Sequence, residues 1–467
     1  MKTTLTILED HLEQLKDILF ENPKSGKPAI LLCGRSTILS NVWDEGIENR
    51  YLSRELVPIP YTYLNEQCVA DIQWNEGIGF EIIQKAQNEN LSIALVFGMD
   101  GKESELRFGN VSEKETFNHI FSSFNAQGSH LSLIISHEGE ISAKVWPSNL
   151  EDSEVDLSRV IGNRFNFHYP EKYEIVPREE FHRQQLAFGP TINSDFSKLK
   201  VGIVGCGATG SATAHLLTRL GIGRLLLVDN DHVEKTNLNR LYGATINDIG
   251  KSKVDVLKHF LTNIGLGTKI VSIHDWVGAD QCRDALKSCD IIFGCTDDNT
   301  GRVFLNRFAH FYYIPIIDMG VDIDPSLTEP GRLQTLQGRV TVVMPGVTCL
   351  ICRNVIDMEK ARNESIKRTD PVRYENLVVN DGYVKRENNP SPAVITFTTE
   401  VATMAVNELI NRLTGFKQGR AENSIMRFFD KSTDQKPGSK PQEHCPMCSN
   451  AKLWGLGDIL PFMDIVS

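Results

Sequence analysis

The stretch Lys200-Val201-Gly202-Ile203-Val204-Gly205-Cys206-Gly207-Ala208-Thr209-Gly210-Ser211-Ala212-Thr213-Ala214 decides the fold. A short run of β-branched and small residues reaches a glycine turn and passes into a segment with helical character, the order strand, turn, helix. The spacing Gly205-x-Gly207-x-x-Gly210 permits a tight turn and lets backbone N–H groups approach a phosphate at a helix N-terminus. Alone, the motif implies a nucleotide, either a dinucleotide redox cofactor or ATP; a cluster of packing glycines is the bland alternative. Outward from it, strands are expected over 201–205, 225–229, 269–274, 290–296 and 314–320, with helices between them. A further strand pair is expected within 334–344, and an amphipathic helix over 397–413 that Gly415 would end. This alternation predicts an α/β domain, a mostly parallel sheet covered on both faces.

The residues after the glycine loop separate the two nucleotides. Asp229 ends the second strand, where a carboxylate can bond a ribose hydroxyl. The chain continues through Asp231 and Asn237 to Arg240, and the next helix opens with Gly250-Lys251-Ser252-Lys253. A nicotinamide site has little use for added cations, whereas a site that expels pyrophosphate needs them, so Arg240 and Lys253 favour ATP over the bland reading of solvated helix charges. Cys295-Thr296-Asp297-Asp298-Asn299 puts carboxylates at a strand's carboxyl end, where Mg²⁺ is expected; Asp298 could instead cap a helix.

Cys349-Leu350-Ile351-Cys352 and Cys445-Pro446-Met447-Cys448 form two CxxC pairs. Together they supply the four thiolates of a closed structural zinc site, with a redox CxxC as the competing reading.

In this order and spacing the motifs resemble the ThiF/MoeB/HesA superfamily, which includes the adenylation domain of ubiquitin-activating enzymes. The resemblance runs from Phe181 to Cys448 and also takes in Arg302. It implies adenylation of the C-terminal glycine carboxylate of a ubiquitin-like or sulfur-carrier protein with Mg·ATP, by a homodimer, and a conjugating enzyme as a possible further partner. It also implies that Arg183, in the pair Arg183-Gln184, reaches the phosphates held by the other protomer. Chemistry of this kind depends on alignment and charge neutralisation rather than a general base, so His215, His232, His259 and His274 are assigned no catalytic role. Ubiquitin-activating enzymes place a thioester cysteine after the first CxxC, yet no cysteine lies between Cys352 and Cys445. Cys206, Cys282, Cys289 and Cys295 read as core or edge residues. The polar loop with Asp370-Pro371, Tyr374 and Gly382-Tyr383 is expected to cover the substrate tail.

Residues 1–162 read as a smaller α+β domain opened by a helix with Leu8, Leu12, Leu15 and Leu19 on one face. Strands are expected at Ile30-Leu31-Leu32-Cys33-Gly34, over 91–97 and over 130–136. The order resembles JAMM-type (JAB/MPN) domains, although Val96-Phe97-Gly98-Met99-Asp100 stands where they carry His-x-His and Gly26-Lys27-Pro28-Ala29 where they carry glutamate. The resemblance thus implies a catalytically degenerate docking domain, of the kind fused to activating enzymes in bacterial ubiquitin-like conjugation operons, antiphage types included. Residues 163–198 read as a linker arm carrying the Arg183 helix, and 199–467 as the adenylation domain.

Composition is that of an ordinary globular protein and names no function. Across 467 residues, 49 Lys and Arg stand against 60 Asp and Glu, a net charge of −11 that argues against nucleic-acid and membrane-surface partners. Ten cysteines are too few for a disulfide scaffold, and Met1-Lys2-Thr3-Thr4 runs into Glu9 and Asp10 without an apolar signal core, so a cytoplasmic protein is expected. An NAD-linked oxidoreductase and a non-catalytic scaffold for a ubiquitin-like protein are the rival readings.

Overall fold

Ile30, Leu31, Leu32 and Cys33 are all fully buried, because their strand is covered on both faces and so reads as a continuous apolar run. The structure, a computed structural model, describes residues 1–21, 28–59, 78–99, 129–146, 153–170, 178–326, 331–379, 392–459 and 462. The strand of Ile30 is the centre of the first sheet. In chain order its strands are β1 (Lys2–Leu8), β2 (Ala29–Ile38), β3 (Glu48–Pro58), β4 (Ser92–Met99), β5 (His130–Ser136), β6 (Ile141–Trp146), β7 (Ser153–Glu154), β8 (Leu157–Ile161) and β9 (Phe165–His168). They lie in the order β7-β6-β5-β4-β2-β3-β1-β8-β9. Leu31 and Cys33 pack under the helix Glu9–Leu19, with Leu12, Leu15 and Leu19, while Ile30 and Leu32 pack on the other face with Ile82 and Ala86 of the helix Ile78–Asn88.

Three details differ from expectation. Lys2–Leu8 is a strand, its threonines Thr3, Thr4 and Thr6 buried, so Leu8 ends a strand instead of opening the helix. β9 extends the first sheet past residue 162 into the segment expected as a linker arm. The arm also carries two helices, His182–Phe188 after a single 3₁₀ turn and Ile192–Lys198, where one was expected.

The second sheet contains β10 (Lys200–Val204), β11 (Arg224–Val228), β12 (Lys269–Ile273), β13 (Ile291–Gly294), β14 (Ile316–Pro325), β15 (Leu333–Val343), β16 (Ser424–Phe428) and β17 (Thr433–Gln435). Its order is β12-β11-β10-β13-β14-β15-β16-β17, with the first five parallel and the rest antiparallel. The expected pair within 334–344 is one long strand, β15, that bonds β14 on one side and β16 on the other. One partner, β14, immediately precedes it in the chain, and the other, β16, comes from far downstream. Helices Ala208–Leu220, Lys253–Thr262 and Ile395–Thr414 cover one face, and Asp280–Lys287 and Asn299–Tyr312 the other. Gly415 does end the long helix, in a left-handed conformation at φ 74° with its N–H on Asn411. Among the described residues, no helix is long and apolar enough to cross a membrane.

The chain leaves β10 for β11 on one side and returns to β13 on the other. This makes a topological switch point, where ligands of such sheets sit outside the carboxyl ends. The first domain is fastened to the opposite, amino edge by a buried ionic network. Arg159 contacts Asp290 at 2.8 Å, Arg50 pairs with Glu48 at 2.8 Å and donates to the Cys289 carbonyl at 3.0 Å, and Lys200 stands 3.8 Å from Glu48. Burial alone would raise the Glu48 carboxyl, but Arg50, Lys200 and Arg159 more than offset it and hold it near about 2. Its folded pKa is depressed, so the stabilisation is complete above the ordinary glutamate value and is lost as pH falls through the folded one. Thermal stability is therefore expected to drop between about pH 4.5 and 2. Glu48→Gln should flatten that part of the profile, and an unchanged slope would show that the network is not linked to folding.

The chain's end closes the same edge. Gly455 and Gly457 donate to His310 and Phe311 at 2.9 Å each, and Asp458 donates to the Arg35 carbonyl of β2 at 2.8 Å. Phe462 packs among Phe304, Phe308 and Phe311. Residues 455–458 thus form a strap across both domains.

Candidate functional site

The three glycines of the loop do different work. Gly205 turns the chain at φ +88°, and a Cβ there would stand 2.7 Å from the Cys295 carbonyl. At Gly210 a Cβ would meet the Gly205 carbonyl at 1.8 Å, so this glycine lets the helix pack on the turn. Gly207 has nothing within 4 Å of where a Cβ would stand, and it lies at the N-cap of the helix Ala208–Leu220. That open face over a helix N-terminus fits a phosphate. Gly207→Ala, whose φ of −73° is ordinary for alanine, is expected to fold with an unchanged melting temperature. It should bind ATP about tenfold or more weakly, because the methyl occupies the approach to the backbone N–H groups. Equal affinity by equilibrium dialysis would place the phosphates elsewhere.

Asp229 anchors the loop from the end of β11. Its Oδ2 accepts from the Cys206 N–H at 2.5 Å and its Oδ1 from the Asp231 N–H at 2.7 Å. Burial pushes its carboxyl up, against the pull of Lys253 and those two donors. Lys253 opens the helix Lys253–Thr262, and its Nζ donates to Asp231 Oδ2 at 2.7 Å. Burial would lower the Lys253 ammonium, but Asp229, Asp231 and the more distant Asp297 more than offset it and hold it above its ordinary value. Asp229, Asp231, Lys253 and Asp297 thus converge at the carboxyl edge beside Gly207, with Asp297 exposed after β13. Of the two exposed carboxylates, Asp231 is held by Lys253, and Asp297 suits Mg²⁺, which commonly takes few protein ligands and completes its shell with phosphates and water.

Other expected residues stand further back. Asn237 is buried, its Oδ1 accepting from the Glu234 N–H at 3.2 Å, so it shapes the loop. Arg240 reaches back to the Thr236 carbonyl on its own turn. That loop rests against the glycine helix, since the Tyr242 N–H donates to Ser211 Oγ at 3.2 Å. Arg183 is exposed at the far end of the same helix. Its neighbour Gln184 donates to the Leu220 carbonyl at 3.0 Å, and Phe181 lies under Gly221. A helix of 13 residues separates that end from the glycine loop by about 20 Å, so Arg183 is remote from its own chain's loop.

Several charged groups at the carboxyl edge escaped sequence reasoning. Asp318, buried on β14, holds Arg339 by one carboxylate oxygen and lies 3.4 Å from Arg302 by the other. A carboxylate inside the apolar run Ile316-Ile317-Asp318-Met319 was the available signal. Asp298 proves to be the cap of the helix Asn299–Tyr312, accepting from Thr300 and Gly301. The segment around Asp370 and Tyr374 forms the helix Pro371–Val379, while Gly382 and Tyr383 lie outside the described residues. So does Asp100 of the first domain. Burial pushes the thiols of Cys206 and Cys295 up, which leaves them poor nucleophiles.

The four CxxC cysteines come together. Cys349 and Cys445 sulfurs are 3.6 Å apart, as are those of Cys352 and Cys448, and all four lie within 4.8 Å of one another. Tetrahedral thiolates at a Zn–S distance near 2.3 Å are separated by about 3.8 Å, so the set fits zinc.

The sequence model of the ThiF family matches residues 181–450, more than half the chain. The chain belongs to the ThiF family. It therefore carries an E1-like adenylyltransferase domain, for which ATP is the expected nucleotide. Protein HesA, heterocyst, of Trichormus variabilis is 28% identical over 279 residues, 59% of this chain and 90% of its own. Ubiquitin-like modifier-activating enzyme 5 of Drosophila willistoni is 26% identical over 237 residues, and the match spans 47% of this chain and about half, 54%, of that protein. The tRNA threonylcarbamoyladenosine dehydratase of Bacillus subtilis is 35% identical over 157 residues, 33% of this chain and 61% of its own. Among solved structures, E. coli MccB is similar over 59% of this chain and 75% of its own, at 18% identity and a TM-score of 0.45.

Proposed function

We propose that this ThiF-family protein uses Mg·ATP to adenylate the C-terminal glycine carboxylate of a ubiquitin-like protein, releasing pyrophosphate, for onward transfer. The observation that carries this is the convergence of Lys253 with Asp229, Asp231 and Asp297 beside the open face of Gly207, at the switch point of the sheet. In the reaction a bond forms between a carboxylate oxygen and the α-phosphorus, the bond from that phosphorus to the bridging oxygen breaks, and pyrophosphate leaves. Gly207 and its helix N-terminus would hold phosphate oxygens, Asp229 the ribose, and Lys253 would offset charge on the leaving group. Asp297 would hold Mg²⁺, which contributes charge neutralisation when bound. Arg240 would flank the phosphates. Arg183, remote from its own chain's loop, would serve the other protomer of a homodimer.

The ubiquitin-like acceptor is supported by the relatives named as ubiquitin-like modifier-activating enzymes. A tRNA acceptor, which the name of the Bacillus relative suggests, is disfavoured by the net charge of −11. With no cysteine between Cys352 and Cys445, the free acyl-adenylate is the expected product. The test is the intact mass of a glycine-ended ubiquitin-like protein after incubation with this chain, ATP and Mg²⁺. A gain of one AMP supports the proposal. A thiol-sensitive covalent complex with the chain would instead reveal a thioester on another cysteine, and neither product would refute adenylation of that partner.

A further inference from the structure

The loop that carries Asp297 is gripped from outside the sheet. The helix Met358–Thr369 begins six residues after Cys352 and lies against the start of Asn299–Tyr312. From it, Glu364 Oε2 accepts from the Thr300 N–H at 2.8 Å and its hydroxyl at 2.9 Å, and Oε1 accepts from Asn299 Nδ2 at 3.2 Å. The Asp357 N–H donates to Asn299 Oδ1 at 3.0 Å. Arg368 lies 3.6 Å over the Trp276 ring and 3.5 Å from Asp298 Oδ2, which also accepts from Trp276 Nε1 at 3.0 Å. Residues 298–300 are thereby held between Trp276 and this helix.

Capping does not account for this arrangement. Asp298 alone satisfies the helix start, its Oδ1 taking the Thr300 N–H at 3.1 Å and its Oδ2 the Gly301 N–H at 3.0 Å. Glu364 brings a second acid to the same Thr300 N–H and against the Asp298 carboxyl, an unfavourable placement for two like charges. Burial and Asp298 together push the Glu364 carboxyl up, a sign of that cost. What the second acid adds is a fixed backbone at residues 299 and 300, two and three positions beyond Asp297. Displacements of about 1 Å at a charge-aligning site cost up to about a hundredfold in rate.

We propose that Glu364 is a positioning residue: with Arg368 it clamps Asp298, Asn299 and Thr300, and so sets where the Asp297 carboxylate stands at the nucleotide site. The catalytic part of this proposal rests on the adenylation reading; the clamp itself does not.

The experiment compares the full-length wild type with Glu364→Ala and Glu364→Gln. Amide hydrogen exchange is measured on the chain alone, and ATP–pyrophosphate exchange with a glycine-ended ubiquitin-like partner. Glu364→Ala is expected to speed amide exchange at residues 299–301 by about tenfold and to lower kcat by about tenfold, with a smaller change in KM for ATP. Glu364→Gln keeps an oxygen acceptor for the Thr300 N–H and is expected to stay within about threefold of wild type in both. Unchanged amide exchange in Glu364→Ala, or a Glu364→Gln as impaired as alanine, would overturn the clamp. Faster amide exchange with kcat intact would overturn the positioning role. Should Glu364→Ala not fold, Arg368→Ala is held to the same criteria. If the wild type gives no pyrophosphate exchange while the amide result holds, the adenylation reading fails and the clamp stands.

Discussion

Lys253→Ala is expected to lower ATP–pyrophosphate exchange by about 100- to 1000-fold, the range seen when one preorganised charge-stabilising group is removed. The Lys253 side chain is only 12% exposed and is bonded to Asp231 at 2.7 Å, so its ammonium is already in place when nucleotide arrives. Asp229 and Asp231, followed by Asp297, keep it charged throughout the neutral range, which gives it no reason to act as a base. Its contribution to folding is smaller, because Asp231 is 63% exposed and can be solvated without it. The variant should therefore keep its melting temperature within a few degrees while losing exchange. Lys253→Arg is not a safe rescue, since a planar guanidinium fits neither the contact with Asp231 nor a compact phosphate pocket in the same way. A melting temperature that collapses along with activity would recast Lys253 as a structural cation.

Removing one zinc ligand should have the largest effect on stability. Cys445→Ser is expected to lower the melting temperature by roughly 10 °C and the bound zinc from about one ion per chain to a small fraction. The first CxxC follows β15 and the second precedes the strap, so the metal would join two segments about a hundred residues apart at one buried cluster. Trp454, whose Nε1 donates to the Met447 carbonyl at 2.9 Å, links that cluster directly to Gly455–Gly457 and through them to β2 of the first domain. Loss of the ligand should thus appear also as faster amide exchange at residues 455–458. A chain purified without chelator that holds no zinc, or a variant with unaltered melting, would favour the redox reading of the pairs.

Features bonded within a few residues were legible in the sequence. The Gly415 stop and the Asp298 cap, the alternative reading of that carboxylate, rest on local backbone geometry, whereas the glycine loop and Asp229 were legible as a motif although their partners, Cys295 and Cys206, lie further along the chain. The CxxC pairs were equally plain, because thiolates at that spacing have few other uses. What escaped depends on distant partners. β1 escaped because Thr3, Thr4 and Thr6, polar in sequence, are buried in a strand paired with β3 and β8, and β15 read as a strand pair although its neighbours are β14, just before it, and β16, far downstream. Glu364 sits in a charged, weakly amphipathic helix where nothing in the spacing distinguishes it from Glu359. The remoteness of Arg183 from its own glycine loop was likewise unreadable, since it depends on where helix His182–Phe188 packs along the end of Ala208–Leu220.

The most direct test of the central claim is partner-dependent isotope exchange. The full chain is incubated with ATP, Mg²⁺, labelled pyrophosphate and a ubiquitin-like protein ending in glycine. Reversible adenylation predicts label in ATP with the intact partner and none when its terminal glycine is removed. Absence of label with the intact partner, or label that ignores the terminal glycine, would contradict it.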